Sequence, residues 1–344
     1  MTEQQAIENI LELENVTKIF KRGRRGQVIA VDNVTFTLRK GKSTMVAIAG
    51  ESGSGKSTLA LLMMGQHPPT SGTVRYQGND LAAMSGEESR VLRREIQPIY
   101  QDPYGAYNPF YKVDHILHMP IKRYNLATSE SQADEMITEA LELVGLRPEE
   151  TLGRYPFALS GGQRQRLMVA RALLCKPKVI MADEPVSMVD ASLRATILSS
   201  LQKLNRQFDI DVVYITHDLT TAYQICENIL IMYSGVVVEA GSVERVIQTP
   251  EHPYTQLLTS SIPLPDIDAR WVDIDNAQDP ALLFSTRDTT GCRFAPRCPH
   301  AMEKCWSTQP GIYITEEHRS VACFLYENRP ILESADLADV FEYR

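Results

Sequence analysis

The run Gly50-Glu51-Ser52-Gly53-Ser54-Gly55-Lys56-Ser57-Thr58 fits the pattern G-x-x-x-x-G-K-[ST]. In such a loop successive backbone N–H groups converge on phosphates, and the helix that follows adds the positive end of its dipole. Lys56 would reach the β- and γ-phosphates as a point charge, and the Ser57 hydroxyl would ligate Mg²⁺. A second run, Leu159-Ser160-Gly161-Gly162-Gln163, is another phosphate-sized nest. Ser160 suits the N-cap of a helix beginning near Gly162, and the two glycines let a backbone come close to a γ-phosphate. One nucleotide does not readily touch both nests if they lie on opposite sides of a domain. Two copies meeting head to tail would allow it.

Three further positions fit phosphoryl transfer. Asp183-Glu184 ends the apolar run Lys178-Val179-Ile180-Met181-Ala182 and supplies two carboxylates with different tasks. Asp183 would hold Mg²⁺ through water, and Glu184 would polarise the attacking water. Gln101 stands between the apolar Ile99-Tyr100 and a turn-rich loop, where it could sense the γ-phosphate or Mg²⁺. His217, in Thr216-His217-Asp218, stands at a strand end, where a neutral imidazole could donate to the γ-phosphate.

Strands and helices must alternate to present these groups. Residues 9–49 read as strands, and Met45-Val46-Ala47-Ile48-Ala49 feeds the glycine-rich loop. A helix from Lys56 to Met64 stops at Gly65. More than 120 residues separate Lys56 from the strand at 178–183, too many for one crossover, so an inserted subdomain is expected. Ala133, Met136, Ile137, Ala140, Leu141 and Val144 recur at helical spacing there, and Gly145 ends the run. A helix with Leu193, Ile197, Leu201 and Leu204 on one face, a strand at 212–216 and two shorter strands turned at Ser234-Gly235 complete a mainly parallel α/β sheet. Pro250, Pro253, Pro263 and Pro265 mark its exit.

The chain has 344 residues, with 35 Lys plus Arg against 43 Asp plus Glu and a formal net charge of −8, which argues against nucleic-acid binding by phosphate neutralisation. No apolar run approaches the ~18 residues of a membrane span, and the start Met1-Thr2-Glu3 lacks the basic residues of a signal peptide, so a cytosolic chain is expected. The length allows one full core and a smaller second module.

With its elements in the order phosphate loop, Gln101, Leu159–Gln163, Asp183-Glu184 and His217, the chain resembles the ATP-binding subunit of an ATP-binding-cassette transporter over residues 10–261. The resemblance implies a P-loop NTPase cassette over 1–261, with a helical subdomain at about 105–176, and a C-terminal module over 262–344. It implies that Phe20 stacks on adenine, that Gln101 faces a membrane partner, and that Ser187-Met188-Val189-Asp190 links two ATP sites across a dimer. Val186 stands where the pattern usually has Thr, and Met188-Val189 where it has Ala-Leu; neither change removes a catalytic group. Tyr100-Gln101-Asp102-Pro103, Asn108-Pro109, His252-Pro253-Tyr254-Thr255 and Gly291-Cys292-Arg293-Phe294-Ala295-Pro296-Arg297-Cys298-Pro299 resemble the oligopeptide/dipeptide importer ATPases, a subfamily that also carries oligosaccharides and nickel. The expected partners are a second cassette subunit, identical or related, two transmembrane permease subunits and, through the complex, an extracellular solute-binding protein. The expected place is the cytoplasmic face of the membrane. A soluble cassette ATPase acting on the ribosome or DNA, and an ATP-driven redox protein, are the competing readings.

The redox reading comes from the cysteines. Cys292, Cys298, Cys305 and Cys323 are four thiols in a short tail, the ligand count of a [4Fe–4S] cluster or a structural zinc. No interval is the close pair usual for zinc. The resemblance to the importer tail, in which iron–sulfur clusters occur, favours the cluster. Cys175 and Cys226 read as small buried residues.

Overall fold

In the computed structural model, residues 9–21, 26–41, 43–261 and 290–343 are described. Pro263 and Pro265 lie outside them, as does the N-terminal Met1-Thr2-Glu3. Along the chain run β1 (Asn9–Lys21), β2 (Gln27–Arg39), β3 (Met45–Ala49), α1 (Lys56–Met63), β4 (Ser71–Tyr76), β5 (Asn79–Asp80), α2 (Gly86–Glu95) and β6 (Ile96–Ile99). Then come α3 (Val113–Tyr124), α4 (Glu130–Leu143), α5 (Pro148–Thr151), α6 (Gly161–Leu174), β7 (Val179–Asp183), α7 (Ala191–Phe208) and β8 (Asp211–Thr216). The last elements are α8 (Leu219–Ile225), β9 (Asn228–Tyr233), β10 (Val236–Ser242), α9 (Val243–Gln248), α10 (Pro253–Ser260), β11 (Tyr313–Glu316) and β12 (Arg319–Val321). No helix among the described residues is long and apolar enough to cross a membrane.

The chain divides into two compact units, the first comprising Met1–Lys42, Val46–Ala82 and Thr216–Arg344. Within it β2, β1, β4 and β5 form an antiparallel sheet in that order. β3 pairs parallel with β9, which pairs antiparallel with β10; β12 adds to β10, and β11 to β12. The β9–β10 hairpin turns at Ser234 (φ 47°) and Gly235 (φ 92°), two left-handed residues as a tight primed turn requires. Every side chain of β3 is buried, which explains its unbroken apolar sequence. α1 buries Leu59, Leu62 and Met63, each worth roughly 1.5–3 kcal/mol. Gly65, at φ 66°, ends it by donating its N–H to Leu62 O.

The second unit comprises Ser43–Met45 and Ala83–Ile215. β6, β7 and β8 are parallel neighbours in it. α4 buries Ala133, Ile137, Ala140 and Leu141, the stripe expected from the spacing, and stops before Gly145 at φ 70°. Sequence reasoning assigned neither β4–β5 nor α2, since neither carries an apolar run. A capping box between Ser85 and Glu88 starts α2, with Ser85 Oγ accepting the Glu88 N–H and Glu88 accepting the Ser85 N–H.

Candidate active site

The loop between β3 and α1 is shaped by glycine. Gly50, Gly53 and Gly55 have φ of 149°, 80° and 109°, where L side chains are strained. A Cβ on Gly50 would lie 2.2 Å from Met232 O, and one on Gly55 would lie 2.2 Å from Ala30 O. Ser54 O accepts the Gly235 N–H at 2.8 Å, tying the loop to the β9–β10 turn. Lys56 is buried, with Nζ donating to Gly50 O at 2.7 Å and Glu51 O at 2.9 Å, so its charge is held inside the arch of the loop. No side chain caps α1 at Gly55, and the buried Ser54 hydroxyl has no partner. A buried cation, an N-terminus without a side-chain cap and an orphaned hydroxyl fit a phosphate chain. Ser57 and Thr58 open α1 at the mouth of this arch, with Ser52 and Gly53 exposed on it.

Phe20, near the end of β1, is half-exposed, in edge contact with His67 at 5.8 Å and with Lys18 Nζ 5.2 Å from its centroid. An accessible ring of this kind suits stacking on a base. His217 is exposed just beyond β8, at the strand end expected for it.

In the second unit the structure brings Gln101 and Glu184 together. Gln101 Nε2 donates to Glu184 Oε2 at 2.8 Å, which leaves the amide oxygen as an acceptor for a cation. Glu184 follows β7 in a left-handed conformation (φ 44°), held by its N–H donating to Ile215 O at 2.9 Å and by its O accepting from Ser187 N and Oγ at 3.2 and 3.0 Å. Such strain in a residue carrying an acid points to function. Asp183 is the last residue of β7. Within this unit, the amide oxygen of Gln101 and the carboxylate of Asp183 are hard oxygen donors of the kind Mg²⁺ takes. Asp190 is exposed at the N-cap of α7.

α6 begins at Gly161 with Ser160 as its N-cap in a capping box. Ser160 Oγ accepts the Gln163 N–H at 3.2 Å, and Gln163 Oε1 accepts the Ser160 N–H at 2.9 Å. A Cβ on Gly162 would lie 2.3 Å from Leu193 Cδ1 of α7, so this glycine serves helix packing, whereas one on Gly161 would have 3.3 Å to Tyr104 Oη. Gly162 is buried, while Ser160 is exposed.

Cys292, Cys298 and Cys323 share a neighbourhood with Cys305. Burial first, and then the neighbouring cysteines, push the thiols of Cys292 and Cys298 up and that of Cys323 to about 11. Among the described residues, however, no group of three or more His, Cys, Asp or Glu side chains is arranged to hold a metal ion. The expected iron–sulfur cluster is therefore unsupported by the arrangement of the described residues. Cys305 Sγ accepts the Met302 N–H at 3.4 Å. Cys175 and Cys226 are buried, in line with their reading as core residues.

Two features were missed from the sequence. Arg297 pairs with Glu51 of the phosphate loop, and Arg164 stacks over Tyr104, its Cζ 4.0 Å from the ring centroid. Only Glu51's place inside the glycine-rich pattern could have signalled the first.

Glycine-bound phosphate loop, strand-end acid pair and capped Ser-Gly-Gly helix define the class, an ATP-binding-cassette ATPase. The model of the ABC transporter family matches residues 31–187, and that of the oligopeptide/dipeptide transporter C-terminal region matches residues 238–305. The oligopeptide transport ATP-binding protein AppD of Bacillus subtilis is 36% identical over 326 residues, 92% of this chain and 97% of that protein. The oligopeptide transport ATP-binding protein OppF of Escherichia coli is 37% identical over 294 residues, 86% of this chain and 87% of its own length. A dimeric post-hydrolysis structure of the ATP-binding cassette MJ0796 with ADP and Pi superposes with a TM-score of 0.61 at 31% identity, covering 68% of this chain and 98% of that one. The chain belongs to the family of oligopeptide/dipeptide transport ATP-binding proteins. It is an ATPase whose hydrolysis is coupled to transport, and ATP and Mg²⁺ are its expected ligands.

Proposed function

We propose that the chain is the motor of a membrane importer for oligopeptides or dipeptides. The observation that carries this reading is the phosphate loop, with Lys56 buried inside its arch, in a chain whose C-terminal region matches that of peptide transporters. Relatives named for peptides favour that solute over oligosaccharides or nickel, and nothing in the comparisons supports a soluble ATPase acting on the ribosome or DNA.

Two cassettes, this chain with a copy or a related chain, close on two ATP molecules. Each ATP lies between one chain's residues 50–58 and the Ser160–Gln163 helix end of the other. Phe20 stacks on adenine, and Ser57, Gln101 and Asp183 hold Mg²⁺. Glu184 polarises the attacking water, His217 donates to the γ-phosphate, and Asp190 links the paired sites. A carboxylate placed by strained backbone and hydrogen-bonded to Gln101 supplies the positioning that phosphoryl transfer needs from a protein. The cassette spans 1–261, with helices α3 to α6 as its inserted subdomain, and 262–344 is a Cys-rich module. The motor sits at the cytoplasmic membrane face against two permease subunits, which an extracellular solute-binding protein supplies.

Glu184→Gln tests the reading. It keeps an oxygen for Gln101 to bond while removing the polarising charge, so nucleotide affinity stays within about twofold and hydrolysis falls at least roughly a hundredfold. Lys56→Ala loses affinity itself. Near-normal turnover in Glu184→Gln would overturn its role.

The [4Fe–4S] cluster on Cys292, Cys298, Cys305 and Cys323 is a separate proposal, supported here by the shared neighbourhood of the thiols, and no step of hydrolysis runs through it. Anaerobically purified protein is expected to carry about four iron atoms per chain with matching sulfide. Colourless, iron-free protein would overturn it.

A further inference from the structure

The phosphate loop carries an acid. Glu51 directly follows Gly50, so a carboxylate shares the short loop whose task is to hold a polyanion. Left unpaired, it would repel the nucleotide.

Arg297 balances it. Its Nη1 donates to Glu51 Oε1 and Oε2 at 3.3 and 3.1 Å, and its Nη2 donates to Oε1 at 3.2 Å. The guanidinium lies 5.8 Å from the ring centroid of Tyr233 and 5.7 Å from that of Phe294, which orients the fork. Those rings pack on Tyr254, at 4.5 Å from Tyr233 and 5.5 Å from Phe294. The Tyr254 hydroxyl in turn accepts the Glu51 N–H at 2.8 Å. Both the amide and the carboxylate of Glu51 are thus held by residues more than 200 positions along the chain, within the region matching the peptide-transporter C-terminal model.

We propose that Arg297 is a positioning residue for ATP binding: it neutralises the acid of the phosphate loop and fixes the loop's first turn, so that the C-terminal region sets the affinity of the nucleotide site. The inference rests on the loop's role in binding ATP. The Gly235–Ser54 bond and the burial of β3 hold the loop without this arginine, so its loss acts on affinity more than on folding.

The test uses the full-length chain, a fluorescent ATP analogue titrated to equilibrium, and the unfolding midpoint without nucleotide. Arg297→Met keeps the stem over the aromatic rings and removes the charge. It is expected to weaken binding about three- to fivefold, the upper scale of one partly exposed charge pair, with a smaller loss in high salt. Glu51→Gln on that background is expected to restore affinity to within about twofold of the wild type, which loss of mere packing could not produce. Wild-type affinity in Arg297→Met, or an equal loss whether residue 51 is Glu or Gln, would overturn the proposal. Undiminished binding by Lys56→Ala would instead overturn the loop's assignment to ATP.

Discussion

Two helix N-termini in this molecule carry glycine-rich phosphate motifs, and they are built in opposite ways. At α1 the cap is a left-handed Gly55 with no side-chain acceptor, a buried lysine bonded to the loop's own carbonyls and a buried serine hydroxyl without a partner. At α6 the cap is Ser160, whose side chain and that of Gln163 satisfy each other's backbone N–H groups in a reciprocal box. The first end has the donors and the charge that suit an anion. The second is complete in the single chain, with its Ser160 cap exposed, and the proposed meeting with another chain's phosphate rests on that exposure.

The largest expected effect that sharpens this contrast is at Gly55. Gly55→Ala must hold a side chain at φ 109° with Cβ 2.2 Å from a backbone oxygen, so we expect about 3 kcal/mol or more of lost stability by chemical denaturation and no measurable ATP binding. A soluble variant that binds ATP normally would show that the arch is not set by glycine.

Gly162→Ala is next. Its Cβ meets only the flexible end of Leu193, which costs roughly 1–3 kcal/mol as overpacking, whereas Gly161→Ala, with 3.3 Å to Tyr104 Oη, is expected to cost less. Equal losses at the two positions in the same denaturation experiment would break the assignment of Gly162 to helix packing.

Ser160→Ala has the smallest expected effect on the single chain, about 1 kcal/mol from the lost cap, with ATP affinity of the isolated subunit unchanged. A weakened affinity in isothermal titration would mean that Ser160 serves the nucleotide of its own chain, and the contrast between the two ends would fail.

The phosphate loop was legible because Gly50, Gly53 and Gly55 adopt backbone conformations that other residues hold only under strain, and Met45–Ala49 could only be a buried strand. Ser160 was legible because its box lies within four consecutive residues. Glu184 was legible as an acid after a strand, but its left-handed backbone and its bond to Gln101 were not, since both depend on β8 and on a loop 83 positions away. Arg297 and Glu51 are 246 positions apart with no periodicity to join them, so only folding reveals the pair. The cysteines show the converse: their number and the resemblance of the tail announced a metal set, and the arrangement of the described residues adds no support for it.

The most direct test of a phosphate site shared between chains is ATP-dependent association on a hydrolysis-dead background. Light scattering of Glu184→Gln with saturating ATP and Mg²⁺ is expected to report a doubled mass. Glu184→Gln with Ser160→Arg, which fills the α6 end with bulk, is expected to bind the same ATP and remain monomeric. Dimerisation of that double variant at the same ATP concentration would contradict the account.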